Sequence, residues 1–406
     1  MSFLCKSIRS LLAIQLVLVI INYGSIDVSA WKYTSTGQVS PVEMEKIKQY
    51  LEKINKPAVK SIQSSDGDVI DCIPIHKQPA FDNPLLKNHT IQMAPSAMPT
   101  FTGENYTTNT ESVRQVWNDA GSCPDGTVPI RRITVGDVLR AKSLSQFGKK
   151  KRNYISRTAT VPTAGPEYAV AYPRNIQSSI YGTSATLNVW DSYVESDDEL
   201  SLSKLLLSSN LDIIEAGWQV YPRLYRDRRA RLFVHWTSDG YQSTGCYDHL
   251  CPGFVQIDAS LTPGATVSPV STYAGPQFEA TFKVLKDPSS GNWWMYFQGI
   301  YVGYWPAILF THLSYYATWV EWGGEIANIR RYGVHTETDM GSGHFAGEGF
   351  GKACYIKNLW TADWTGQLYP VQSITTYADH PNCYNAISYN GVSFYFGGSG
   401  RNSLCP

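Results

Sequence analysis

The sequence is short of charge. Asp, Glu, Lys and Arg make up only 17% of its 406 residues, and the two signs cancel at 34 each. With no net field, neither nucleic acid nor an anionic membrane surface is an expected partner. Long apolar runs are missing beyond residue 30: no later stretch approaches the about 18 uninterrupted apolar residues of a membrane-spanning helix. There is no His-Glu-x-x-His, no glycine-rich phosphate loop before a helix, and no G-x-S-x-G elbow; 240-GYQSTG-245 comes nearest to the last, with the wrong spacing. The eight histidines are scattered, and His335 and His344 lack a ligand spacing, so no metal and no cofactor is expected. Ser342 beside His344 in 340-MGSGHF-345 reads as loop, because catalytic triads assemble in space and not along the chain.

Glycine and the aromatics are abundant instead: 32 Gly, 26 Tyr, 14 Phe and 12 Trp. That mix suits twisted antiparallel sheets with tight turns. From about residue 168 short Val/Ile/Tyr/Phe/Trp-rich runs recur: 168-YAVAYP-173, 185-ATLNVWD-191, 231-RLFVHWTSD-239, 253-GFVQID-258, 278-FEATFKVL-285, 293-WWMYFQGIYVGYW-305 and 392-VSFYFGG-398. The segments 287-DPSSGN-292 and 390-NG-391 are hairpin-like loops. The expected fold is all-β, an antiparallel β-sandwich of jelly-roll or concanavalin type, with helical character only near 200–208. A small mixed α+β domain precedes it. Its opening helix is written in 40-SPVEMEKIKQYLEKINKP-57, where Ser40 and Glu43 form a capping box and Met44, Ile47, Leu51 and Ile54 make one apolar stripe.

Lys6, Arg9, the run 11-LLAIQLVLVII-21 and the small residues 28-VSA-30 read as a secretory signal over 1–30. Seven cysteines remain after it, which in an oxidising compartment predicts three bridges and one spare. Sequence proximity pairs Cys246 with Cys251, and Cys383 with Cys405 at the C-terminus, leaving Cys72–Cys123 in the N-terminal part; Cys354 is expected to be a buried apolar residue. Sequons at Asn88 and Asn105 mark a glycosylated, solvent-facing N-terminal region. The basic stretch 148-GKKKRNYISRTATVPTAGP-166 reads as a solvated linker or, more sharply, as the processing region of a precursor. The divisions are therefore a signal over 1–30, a propeptide over 31–157 and a second domain over 158–406.

Carboxylates remain as candidates for chemistry. In 211-LDIIEAGWQV-220 a strand period puts Glu215, Gly217 and Gln219 on one face and Trp218 on the other; in 321-EWGGE-325 it aligns Glu321, Gly323 and Glu325. Glycines on the glutamate-bearing face would leave a trough for a substrate backbone. Two carboxylates across it can share one proton, helped by desolvation from the tryptophans, and divide general-base and general-acid roles in acid. The alternatives are surface or ion-paired glutamates in an inactive or carbohydrate-binding cell-wall module built on aromatic platforms, or a glycosidase.

The same residues carry a family resemblance. The motifs 214-IEAGWQVYP-222, 240-GYQSTGCYDHLCPGFVQ-256, 290-SGNWWMYF-297, 303-GYWP-306, 321-EWGGEI-326 and 340-MGSGHF-345 resemble the neprosin family, and 70-IDCIPIHKQPAFDNPLLKNHTIQM-93 with 122-SCPDGTVPIRR-132 resembles its activation peptide. Neprosins are plant secreted glutamic peptidases, made as zymogens, that cut after proline in acid. The resemblance implies that Glu215 and Glu325 are catalytic, with Gln219 and Glu321 supporting, and that the three cysteine pairs form. It also implies a proline-containing peptide or protein as substrate, the chain's own propeptide as intramolecular inhibitor, a monomer, and an extracellular or vacuolar location.

Overall fold

The computed structural model describes residues 39–97, 113–150, 164–330 and 334–406. The signal segment, Asn105 and the basic residues from Lys151 onward lie outside them. The described residues from Glu45 to Pro406 form one compact unit, and those before Glu45 fall outside it.

Among the described residues two large antiparallel sheets dominate. The seven-stranded sheet runs, in spatial order, through Cys246–Tyr247, Arg231–Thr237, Asp212–Val220, Ser201–Ser209, Trp319–Asn328, Gly165–Pro173 and Ile374–Ala378. The other holds Val255–Gln256, Ile300–Trp305, Trp293–Phe297, Glu279–Lys286, Gly182–Asn188, Cys354–Ala362, Phe394–Gly397 and Asn385–Ser388, with Leu368–Pro370 paired to Cys354–Ala362. The predicted loops at 287–292 and 390–391 do join hairpins. Between the sheets lies a continuous core that includes Trp218, Trp293, Trp294, Trp305 and Trp322. Trp218 Nε1 donates to the Asn188 carbonyl at 2.9 Å and Trp322 Nε1 to Thr183 Oγ1 at 3.0 Å. Each indole thus buries its rings and still satisfies its one donor, and it fixes one sheet on the other.

The run 201-SLSKLLLSS-209 is a strand and not a helix. It is central in its sheet and buried on both faces, and its leucines at 202, 205 and 206 fall at i, i+3 and i+4, so a helical spacing stands where β alternation would have marked a strand.

The N-terminal part is α+β as expected. The Pro41–Ile54 helix buries Ile47 and Ile54. A three-stranded sheet of Lys60–Gln63, Val69–Pro74 and Thr127–Arg131 follows, tied by Cys72–Cys123. Cys246–Cys251 and Cys383–Cys405 also pair, Cys354 stays buried outside the bridges, and Asn88 is exposed.

This part is fixed to the sandwich by buried polar bonds. Gln78 and Gln256 exchange two side-chain-to-backbone bonds (2.9 and 2.7 Å), as do Gln115 and Thr262 (2.7 and 2.8 Å). Beside them is an ionic cluster. Asp68 pairs with Arg131 and with Arg231, and Asp137 pairs with Arg131, Arg140 and, at 3.3 Å, Arg226. Buried carboxylates are tolerable only with such partners.

Candidate active site

The register of the seven-stranded sheet builds the site. On Asp212–Val220, Glu215 stands opposite Leu206 and Gln219 opposite Leu202; on Trp319–Asn328, Glu321 stands opposite Leu206 and Glu325 opposite Leu202. Cross-strand partners share a face, so Glu215 and Glu325 lie diagonally across the Ser201–Ser209 strand. Between those two rows comes a third, with Gly217, Lys204 and Gly323 side by side. The glycines do clear a trough, but the Lys204 side chain fills it. Their need for glycine comes from close strand contact: a Cβ on Gly217 would sit 2.0 Å from the Ser203 carbonyl oxygen, and Gly323, at φ +151°, would bring one to 2.4 Å from the Ala169 oxygen.

Two ammonium groups bridge the two glutamates. Lys204 Nζ donates to Glu215 Oε1 at 2.5 Å and to Glu325 Oε2 at 2.7 Å. Lys150 Nζ, from the N-terminal part, donates to Glu215 Oε1 and Oε2 at 2.9 and 3.0 Å and to Glu325 Oε2 at 2.7 Å. The four side chains are 0–7% exposed. Lys150 arrives on a strap whose other contacts are also made. Tyr247 N–H donates to the Gly148 carbonyl at 2.9 Å, and Lys149 Nζ donates to the carbonyls of Ser243 and Gly245 at 2.7 and 2.6 Å. The start of the basic stretch is therefore docked in the site, not solvated.

The electrostatics differ from those expected of tryptophan-flanked acids. Trp218 and Trp322 face the core, away from the carboxylates. Burial pushes the Glu215 carboxyl up, but Lys150 and then Lys204 more than offset it and hold the group well below the usual carboxylate range. His235 pairs with Glu215 in register, its Nδ1 3.4 Å from Oε2; burial, opposed by Glu215, pushes it down to about 3. Tyrosines supply the remaining wall. Tyr168 lies opposite Glu325, the Lys150 ammonium is 5.7 Å from the Tyr241 ring centroid, and Tyr247 packs edge-on to His235. Burial raises the hydroxyls of all three.

The other candidate residues fall elsewhere. Gln219 shares the face but gives its amide to Tyr225 Oη at 2.7 Å, and Glu321 Oε2 accepts from Trp319 Nε1 at 2.9 Å, so neither contacts the pair. His335 is buried against Glu167, whereas His344 pairs with Glu348 beside Tyr273. Lys204, Lys150, His235 and the tyrosines were not expected at the site; a lysine amid the serines and leucines of 201–209 and the near-miss loop 240–245 were the available signals.

Residues 197–399 match the Neprosin family model and residues 61–172 the Neprosin activation peptide model. The chain belongs to the neprosin family and carries its activation peptide, which makes it a peptidase precursor. Among solved structures it is similar to scytalido-glutamic peptidase bound to a transition-state analogue inhibitor, at 11% identity over 58% of this chain and 98% of that one, TM-score 0.33. It is also similar to SCP-B, an eqolisin-family peptidase in complex with the tripeptide Ala-Ile-His, at 12% identity with the same coverage and a TM-score of 0.31.

Proposed function

We propose that this chain is the secreted zymogen of an acid-active glutamic endopeptidase that hydrolyses peptide bonds after proline, with Glu215 and Glu325 as the catalytic pair. One observation carries the reading: two glutamates from separate strands converge on a single ammonium delivered by the activation peptide. Lys150 occupies the position that a water and the scissile carbonyl need, so the precursor is held inactive by its own chain.

Removal of the strap opens the carboxylates to substrate. One glutamate takes a proton from water, and the oxygen so activated attacks the carbonyl carbon. The other, protonated, donates its proton to the carbonyl oxygen, giving a tetrahedral gem-diol; as the C–N bond breaks, the first passes the proton taken from water to the leaving nitrogen, and the re-forming carbonyl returns a hydroxyl proton to the second. This division needs one proton on the pair, which is why the reaction belongs to acid. A proline ring offers apolar shape, and its nitrogen has no N–H to satisfy; the tyrosine-lined, water-poor wall made by Tyr168, Tyr241 and Tyr247 suits such a ring.

The test is mass-spectrometric mapping of products from a proline-containing protein digested by the chain after incubation at about pH 3–4, where carboxylates begin to protonate. New C-termini at proline support the reading. Cleavage elsewhere removes the specificity, and no cleavage favours an inactive or carbohydrate-binding module.

A further inference from the structure

Lys204 lies outside every motif that points to the glutamates, yet it stands at the centre of their arrangement. It is 1% exposed, flanked in register by Gly217 and Gly323, and its ammonium bonds one oxygen of each glutamate. Lys150 is on the activation peptide and departs with it; Lys204 is on a central strand of the sandwich and remains. The mature site therefore contains two carboxylates and one resident cation.

We propose that Lys204 is a positioning residue of the hydrolytic site: it ties one oxygen of each glutamate together and stands in for the proton that two bare carboxylates would share. The inference rests on the peptidase reading above. Two unpaired carboxylates this close cannot both ionise near neutrality, so one retains a proton well up the pH scale. An ammonium bonded to both relieves the repulsion, and the shared proton then binds only in stronger acid. The same two bonds leave Glu215 Oε2 and Glu325 Oε1 free of Lys204; the first lies near His235 and loses its bond to Lys150 when the strap departs.

The other groups facing Lys204 and the pair are few. Tyr168 lies on the Gly165–Pro173 strand with its ring centroid 5.3 Å from Lys204 Nζ, Glu321 is four residues along the strand of Glu325, and His235 is on Arg231–Thr237. Tyr241 and Tyr247 come from the loop and edge strand above, and Lys149 and Lys150 from the strap. Burial raises the tyrosine hydroxyls, and His235 is held neutral until strong acid. In the mature enzyme Lys204 is thus the cation in contact with both acids.

The experiment compares the acid-matured parent with Lys204→Gln, Lys204→Met and Lys204→Arg. The first readout is the pH dependence of kcat/KM on a proline-containing peptide; the second is an infrared titration of the protonated-carboxyl band, with Glu215→Gln assigning the signal. Lys204→Gln is expected to move the alkaline limb up by about one to two pH units, which is about ten- to hundredfold more relative activity above the parent's limb. Lys204→Arg keeps the limb where the parent has it. A limb in Lys204→Gln that coincides with the parent's overturns the proposal. If Lys204→Gln hydrolyses nothing or fails to fold, the carboxyl titration of it or of Lys204→Met decides by the same shift. If the parent has no peptidase activity, the function proposed above fails while the infrared titration still tests Lys204.

Discussion

Lys150 and Glu215, 65 positions apart, form a bidentate ion pair: one ammonium lies 2.9 and 3.0 Å from the two carboxylate oxygens and also 2.7 Å from Glu325. The activation peptide thus places a cation on both acids at once, and latency becomes a property of one side chain as well as of a covered cleft.

Replacing Lys150 by Ala in the unprocessed precursor is expected to raise its hydrolysis of a short proline-containing peptide at least tenfold. Breaking a buried pair costs about 3–5 kcal/mol, and about 1.4 kcal/mol is already tenfold in the opening equilibrium. Activity of the purified, uncleaved chain checks this; no gain would mean that the strap blocks the site through its backbone alone.

The ionic cluster between the activation peptide and the sandwich predicts the acid response. Burial pushes the Asp137 carboxyl up, but Arg131 and its other partners hold it below its ordinary value. A depressed group stabilises the closed state above its free value, about 3.9 for aspartate, and loses that contribution as pH falls through the depressed one. Release of the activation peptide is therefore expected below about pH 4. Asp137→Asn, which leaves Arg226 without that carboxylate, should move the midpoint of processing to higher pH. The processed fraction at each pH, read on a denaturing gel, measures it; an unchanged midpoint would remove Asp137 from the trigger.

Gly217→Ala is expected to cost both stability and activity. Its Cβ would meet the Ser203 oxygen at 2.0 Å and Lys204 Cα at 2.9 Å, within the backbone contact that holds the Glu215 strand to its neighbour. Overpacking of this kind costs about 1–3 kcal/mol. A lowered Tm with a disproportionate loss of activity is predicted, because the displaced strand carries one acid of the pair. Thermal melts and kinetics on the same preparation check both.

Much of this was legible in the sequence because local rules and global fold agree. The alternation that put Glu215, Gly217 and Gln219 on one face holds, and so does the opening helix with its capping residues. What stayed hidden has physical causes. The Ser201–Ser209 strand is buried on both faces, serines included, so burial did not follow residue polarity and Lys204 looked like one more polar residue of a mixed Ser/Leu run. Trp218 and Trp322 stand beside the glutamates in sequence but point to the opposite face, so the desolvation expected from them is supplied by tyrosines on other strands and loops. Lys150 reaches the acids only by long-range docking, which no local pattern records. The family resemblance implied supporting roles for Gln219 and Glu321, whose side chains bond Tyr225 and Trp319.

The most direct test is hydrolysis of a fluorogenic proline-containing peptide by the acid-matured protein beside Glu215→Gln and Glu325→Gln. Glutamine keeps the shape of each side chain and removes its ability to exchange a proton. Activity in the parent, with each variant folded and reduced at least about a thousandfold, is the predicted result, since general acid–base groups each contribute about 10²–10⁴. Activity that survives either substitution would place the chemistry at another site and contradict the paired-glutamate account.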